Sequence, residues 1–248
     1  MENALLIGLS QQAALRRHLD IVANNLANLS TSGFKSERPI FEDYVMPLAG
    51  VGGQAGAAGE IHYVQDGMLF RDLTEGPLQA TGNPLDFAIN GTGWFVLQGP
   101  DSDLYTRSGH FRLDPDGLVV APNGEPLLTE NGPIVLAAGE TDLTIAPDGT
   151  VTTSAGGKGR LRVVRFEAEE RLEKRDAGVY SAPEDVIAEP ATGYRTSQGM
   201  LEGSNVNPIR EITEMIEVTR AYTSTAQTLE NANSLRQSAI ETLGQAPN

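Results

Sequence analysis

Cysteine is absent from the 248-residue chain. That excludes a disulfide framework and any thiolate metal site, and on this ground leaves the compartment open. Aromatic residues make up only 6%, with Trp94 the single tryptophan. A secreted β-module that grips carbohydrate needs exposed rings, and Trp94, followed by Phe95-Val96, reads as core. Basic residues are scarce, 18 against 33 acids, for a formal charge of −15. Nucleic acid is thereby excluded, since its phosphates need a Lys/Arg surface. No apolar run approaches the ~20 residues of a membrane span. The N-terminus also lacks the build of a cleaved leader: Glu2 stands where positive charge belongs, and Ala4–Leu9 stops at Ser10-Gln11-Gln12. Export, on this reading, uses a route without a cleaved signal peptide.

The deficit of base is uneven. Residues 1–44 carry 5 acids and 4 bases, 45–201 carry 22 and 11, and 202–248 carry 6 and 3. Most of the net acidity therefore belongs to the middle, and the two ends are nearer balance, at −1 and −3. At the N-terminal end, steps of three and four from Leu5 pass through Gly8, Gln12, Leu15, Leu19, Val22, Leu26 and Leu29, a heptad-like seam. This predicts a helix over about 3–32, ended by Gly33 in the left-handed conformation. At the other end Asn207 suits an N-cap and Pro208 the first helical position. From there Met215, Val218, Tyr222, Thr225, Leu229, Ala232, Arg236, Ala239 and Leu243 repeat the spacing.

Between the ends the period changes to that of strands. Leu85, Phe87 and Ile89 alternate, and short apolar runs follow at Trp94–Leu97, Leu118–Val120, Ile134–Leu136 and Leu161–Val164. Turn signals separate them at 114–117, 122–124, 131–132 and 146–149. The expected fold is α+β: paired terminal helices in a coiled-coil-like layer and a central antiparallel β-rich domain of sandwich or barrel type. The expected boundaries are 1–33 for the first helix, 34–80 for an extended connector with the glycine-rich segment 50–59, 81–200 for the β-rich domain, and 201–248 for the second helix. Phe166–Asp176, with Glu167/Arg171 and Glu170/Lys174 at helical spacing, reads as a short solvated helix.

Candidate chemistry fails position by position. Ala155–Arg160, AGGKGR, has Thr152 and Gly159 where a phosphate loop needs Gly and Ser/Thr. Asp114-Pro115-Asp116-Gly117 is too short for a calcium loop. His18, His62 and His110 lack metal-ligand spacing, with His18 expected at the surface beside Arg16 and Arg17. Ser108 and His110 have no nucleophile-elbow context. The expectation is no catalytic, cofactor or metal site, and no small-molecule substrate. What remains is two helices whose outer faces are Thr, Ser, Ala, Asn and Gln where water-facing helices carry Lys and Glu. Such faces suit close self-similar packing in a helical polymer.

Particular stretches sharpen this. Ala23–Lys35, ANNLANLSTSGFK, resembles the N-terminal signature of the bacterial flagellar rod and hook proteins. Ser204–Ile209 with Met215-Ile216 and Arg220-Ala221-Tyr222 resembles the C-terminal signature of that family. The opening MENALLIGLS and the central TGNPLDFAINGTGWFVLQ are more similar to its proximal-rod members than to its distal-rod or hook members, which are the alternative. The resemblance implies a structural protein of the basal-body rod, polymerising with itself and related rod proteins into a shaft that carries torque across the periplasm. It also implies passage through the flagellar type III export apparatus. The interface it implies comprises Leu5, Leu15, Leu19, Val22, Asn24, Asn25, Leu26, Asn28 and Leu29 from the first helix. From the second it takes Met215, Val218, Tyr222, Leu229, Ala232, Ala239 and Leu243.

Overall fold

The computed structural model describes residues 2–47, 60–137, 139–140, 142–175 and 178–244, with backbone alone for 2–5, 41–47, 60–68 and 243–244. The glycine-rich stretch 50–59 lies outside the described residues. The chain forms two compact units: Met1–Ala27 with Glu37–Phe70 and Asn207–Asn248, and Asn28–Ser36 with Arg71–Val206. The fold is α+β. In the first unit α1 (Glu2–Ala27) packs on α2 (Pro208–Gly244). Strands Glu37–Pro47 and Glu60–Arg71 pair with each other, so a segment read from the sequence as a connector contains a two-stranded sheet.

The helix α1 stops at Ala27, short of the expected 32. The Asn28 carbonyl accepts the Thr31 N–H at 3.2 Å, its side-chain oxygen accepts the Thr31 hydroxyl at 3.0 Å, and Phe34 N–H reaches the Thr31 carbonyl at 3.3 Å. These local turns capture the backbone groups that a continuing helix would use. Gly33 does take a positive φ, 68°, but inside the β-rich unit, where a Cβ would lie 2.5 Å from the Arg107 backbone. Its glycine is required by close approach as much as by chain reversal.

The β-rich unit is built on a six-stranded antiparallel sheet ordered Glu173–Lys174, Val179–Ser181, Asp103–Thr106, Trp94–Gln98, Val163–Arg165, Glu189–Pro190. Side chains alternate across a strand. Phe95 and Leu97 therefore enter one apolar cluster with Phe87, Phe111, Leu127 and Val151, while Trp94 and Val96 enter a second with Tyr105, Phe166 and Tyr180. Burial on both faces explains why this strand reads as an unbroken apolar run. Trp94 is 1% exposed, so it is core. The expected turns form: Gly117 N–H donates to Asp114, Gly124 to Ala121 and Gly149 to Ala146. Phe166–Asp176 departs from expectation. Among its described residues, only Glu169–Arg171 turns, as a 3-10 helix, and Glu173–Lys174 is an edge strand, because Leu172 is drawn into the second cluster; Asp176 lies outside the described residues.

The AGGKGR stretch is a strand, Gly156–Arg160, and Lys158 pairs with Glu140 at 2.7 Å. Bonds from Lys158, the Ala137 amide and Thr153 hold the Glu140 carboxyl down to about 2. Between that value and the ordinary one near 4.5, the folded form binds fewer protons than the unfolded. The stabilisation from this carboxylate is therefore complete above the ordinary value and lost as pH falls through about 2. A carbon-detected NMR titration should place the Glu140 midpoint near 2, and Lys158→Met should move it up toward the ordinary range.

Candidate assembly surface

The two helices are antiparallel, since residues rising along α2 meet residues falling along α1. Asn25 bonds Glu211, His18 bonds Glu214 at 2.7 Å, and Gly8 faces Leu229. Gly8 interrupts the sequence seam for a reason: a Cβ there would lie 2.5 Å from Leu229 Cδ2. Leu229 occupies the space a side chain would need. His18, expected at the surface, is half-buried, so its imidazole joins the helix pair rather than solvent alone.

Along this contact Val22 and Val218 are buried, at 2% and 6% exposure. Leu15, Leu19, Leu26, Met215, Tyr222, Leu229 and Ala232 are half-buried, while Leu29, expected on the first helix, lies past its end in the β-rich unit. Asn24 is exposed and Asn28 half-buried. Side chains of Leu5 and Leu243 lie outside the described set. Ala239 is exposed, for a geometric reason: α2 has 37 residues and α1 has 26. Continuing the pairing of Gly8 with Leu229 toward Glu2 reaches the neighbourhood of Leu235, and the rest of α2 has no partner helix among the described residues.

Sequence reasoning placed Asn25 with Asn24 and Asn28 as one surface. The structure separates them. Asn25 is 1% exposed, accepts Glu37 N–H at 3.0 Å, donates to the Glu37 carbonyl at 2.8 Å, and donates to Glu211 at 3.1 Å. Its carboxamide imitates a strand partner for Glu37 and satisfies a buried carboxylate. Asn25→Ala takes this donor from the buried Glu211 carboxylate, at a cost of ~1–3 kcal/mol, and removes its two bonds to the half-buried Glu37 backbone. Hydrogen exchange at the Glu37 amide should accelerate sharply, and an unchanged rate would contradict this role.

The start of α2 follows its sequence signals. Asn207 Oδ1 accepts the N–H of Ile209 and Arg210, and its carbonyl accepts that of Glu211. Further along, the hydroxyls of Thr213, Thr219, Thr223, Thr225 and Thr228 all donate back to the carbonyl four residues earlier, at 2.6–3.0 Å. The hydroxyl protons of these threonines are therefore satisfied within the helix, and the threonines present methyl groups that a neighbouring chain can cover without accepting from them.

Each helix also carries a second stripe, one residue later than the first and so turned by about 100°. On α1 it runs Leu6, Leu9, Ala13, Arg16, Asp20, Ala23, and on α2 Ile209, Ile212, Ile216, Thr219, Thr223, all exposed. Leu9 is 60% exposed and Ile209 77%. The sequence reading followed the first stripe alone, although the three- and four-residue spacing of the second was equally legible.

Nothing among the described residues assembles chemistry. Ser108 bonds Ser32, while His110 bonds Asp86 at 2.9 Å, so hydroxyl and imidazole engage different partners. No group of three potential metal ligands occurs among the described residues, and no helix is long and apolar enough to cross a membrane.

Similarity to known proteins covers both helices and the centre. Residues 5–35 match the family described as flagella basal body rod protein, residues 88–153 the flagellar hook protein FlgE/F/G D1 domain, and residues 197–242 the flagellar basal body rod FlgEFG protein C-terminal family. The flagellar basal-body rod protein FlgF of Caulobacter vibrioides is 39% identical over 98% of this chain and 99% of its own length. The chain belongs to the flagellar basal-body rod protein family. FlgF of Mesorhizobium japonicum is 34% identical over 98% of the chain and 99% of its own length. The rod protein FlgG of Agrobacterium fabrum is 31% identical over 94% and 96%. Rod family members are structural and non-enzymatic, in keeping with a chain whose notable surface is a pair of helices.

Proposed function

We propose that this chain is a proximal-rod subunit that polymerises through its paired terminal helices with copies of itself and related rod proteins. In that assembly it carries torque across the periplasm, having passed through the flagellar type III export apparatus. The supporting observation is the second, exposed stripe on each helix, together with threonine hydroxyls that need no outside partner. A lone helix pair in water gains nothing from Ile209, Ile212 and Ile216 on its outer face. A tube of packed helices buries them. The similarity to FlgF along nearly the whole chain favours the proximal position.

Because the chain has no cysteine, a single introduced thiol reports its own neighbourhood. Ile212→Cys and Leu9→Cys, treated with a short bifunctional thiol reagent in motile cells whose other rod proteins carry matching cysteines, should give covalent adducts containing this chain. Val135→Cys, in the β-rich unit, serves as an exposed comparison position. Absence of adducts from both helix positions, with normal swimming, would remove the stripes from any subunit contact.

A further inference from the structure

Two segments of the β-rich unit, far apart in sequence, lie side by side. Gly33 N–H donates to the Glu202 carbonyl at 2.8 Å, Asn205 N–H to the Phe34 carbonyl at 3.4 Å, and Ser36 N–H to Asn205 Oδ1 at 2.8 Å. Between them Lys35 Nζ bonds Glu202 Oε1 at 2.6 Å, with both side chains at 1–2% exposure. A third strand of chain is tied in. Lys35 Nζ also donates to the Thr74 carbonyl at 2.7 Å, Asn205 Nδ2 to the Asp72 carbonyl at 2.8 Å, and Gly76 N–H to Glu202 Oε1 at 3.0 Å. None of this was read from the sequence, where Lys35 served only as the end of a signature.

The direction of the two segments matters. Contacts advance from Gly33 with Glu202 to Ser36 with Asn205, so the segments run parallel. The N-terminus lies beyond residue 33 on one and the C-terminus beyond residue 205 on the other. Opposed tension on the two ends therefore pulls the segments at opposite extremities. That geometry shears all the bonds together, whereas an antiparallel pair pulled from one extremity would open one bond at a time. The ion pair sits in the sheared layer and is shielded from water, where a charge-assisted bond is strongest.

We propose that Gly33–Ser36 and Glu202–Asn205 form a load-bearing clasp, which shields residues 37–201 from tension applied through the chain's two ends. It concerns mechanics within one chain and does not rest on the rod reading. The test is to tether the full chain by its two termini in an optical trap. The residues outside the clasp number about 75, and their release as extended chain should give a first, low-force lengthening of roughly 250 Å. A hold at that length should follow, ending in rupture at higher force.

Under constant force the clasped state of Lys35→Met should last at least ~10-fold less than wild type, because forced unfolding reports the barrier. Asn205→Ala removes the side-chain bonds to the Ser36 amide and to the Asp72 and Thr74 carbonyls and keeps the ion pair, so it carries the test if Lys35→Met does not fold. Arg165→Gln, which breaks an exposed pair with Glu189, should leave the lifetime unchanged. Extension through residues 37–201 in a single step without a hold would overturn the proposal. So would wild-type lifetimes in the folded clasp variants.

Discussion

Glu202→Met should lower the stability of the β-rich unit by about 5 kcal/mol, against about 3 for Lys35→Met. The asymmetry follows from what each change leaves behind. Without Lys35, Glu202 keeps the Gly76 amide and the Arg107 guanidinium, 3.6 Å away. Without Glu202, Lys35 and Arg107 remain as two buried cations with their shared counter-charge gone. Burial already holds Lys35 below its ordinary value, opposed by Glu202 and aided by Arg107. Removing Glu202 pushes it further toward the neutral amine.

A lysine depressed in the folded state binds fewer protons there than when unfolded, so stability rises with pH between the folded value and 10.5. The Glu202→Met variant should therefore regain stability as pH climbs through that window, more steeply than wild type. Urea unfolding followed by Trp94 fluorescence measures both effects, since Trp94 is buried in the same unit. A larger loss in Lys35→Met than in Glu202→Met would show that Arg107 does not share the charge.

The second large effect belongs to the helices. Val22→Asp places an unpaired carboxylate at a position 2% exposed, at a cost of several kcal/mol, ~3 or more, if the charge is retained. Leu26, which sequence spacing marks equally well, is only half-buried, and Leu26→Asp should be milder. In Val22→Asp the α1–α2 contact should open while the β-rich unit keeps its melting temperature, and swimming should be lost. Loss of amide protection in both helices with a normal β-unit melt is the expected signature. Retained protection at Val22 and Val218 would mean that the seam does not hold the pair.

Period and turn chemistry were enough to read the architecture. The seam residues were legible because a helix that buries one stripe must space it by threes and fours. The strands were legible because Asp-Gly and Asn-Gly pairs mark where chains reverse. What escaped was set by contacts distant in sequence. Lys35 and Glu202 are 167 positions apart, and neither has a local pattern that announces burial. Asn25 looked like its neighbours Asn24 and Asn28 because spacing cannot say which carboxamide will find a strand edge. The end of α1 was overrun because Asn28 and Thr31 fit a helical pattern as well as the turn they form. Exposure on α2 past Leu235 reflects the difference in helix length, visible only once the pairing register is known.

The central claim is that these helices build a rod. Electron microscopy of basal bodies purified from a strain lacking this chain measures it most directly. The account predicts basal bodies without a complete rod, restored by the wild-type chain and not by Val22→Asp. Complete rods of normal length in the absence of the chain would contradict it.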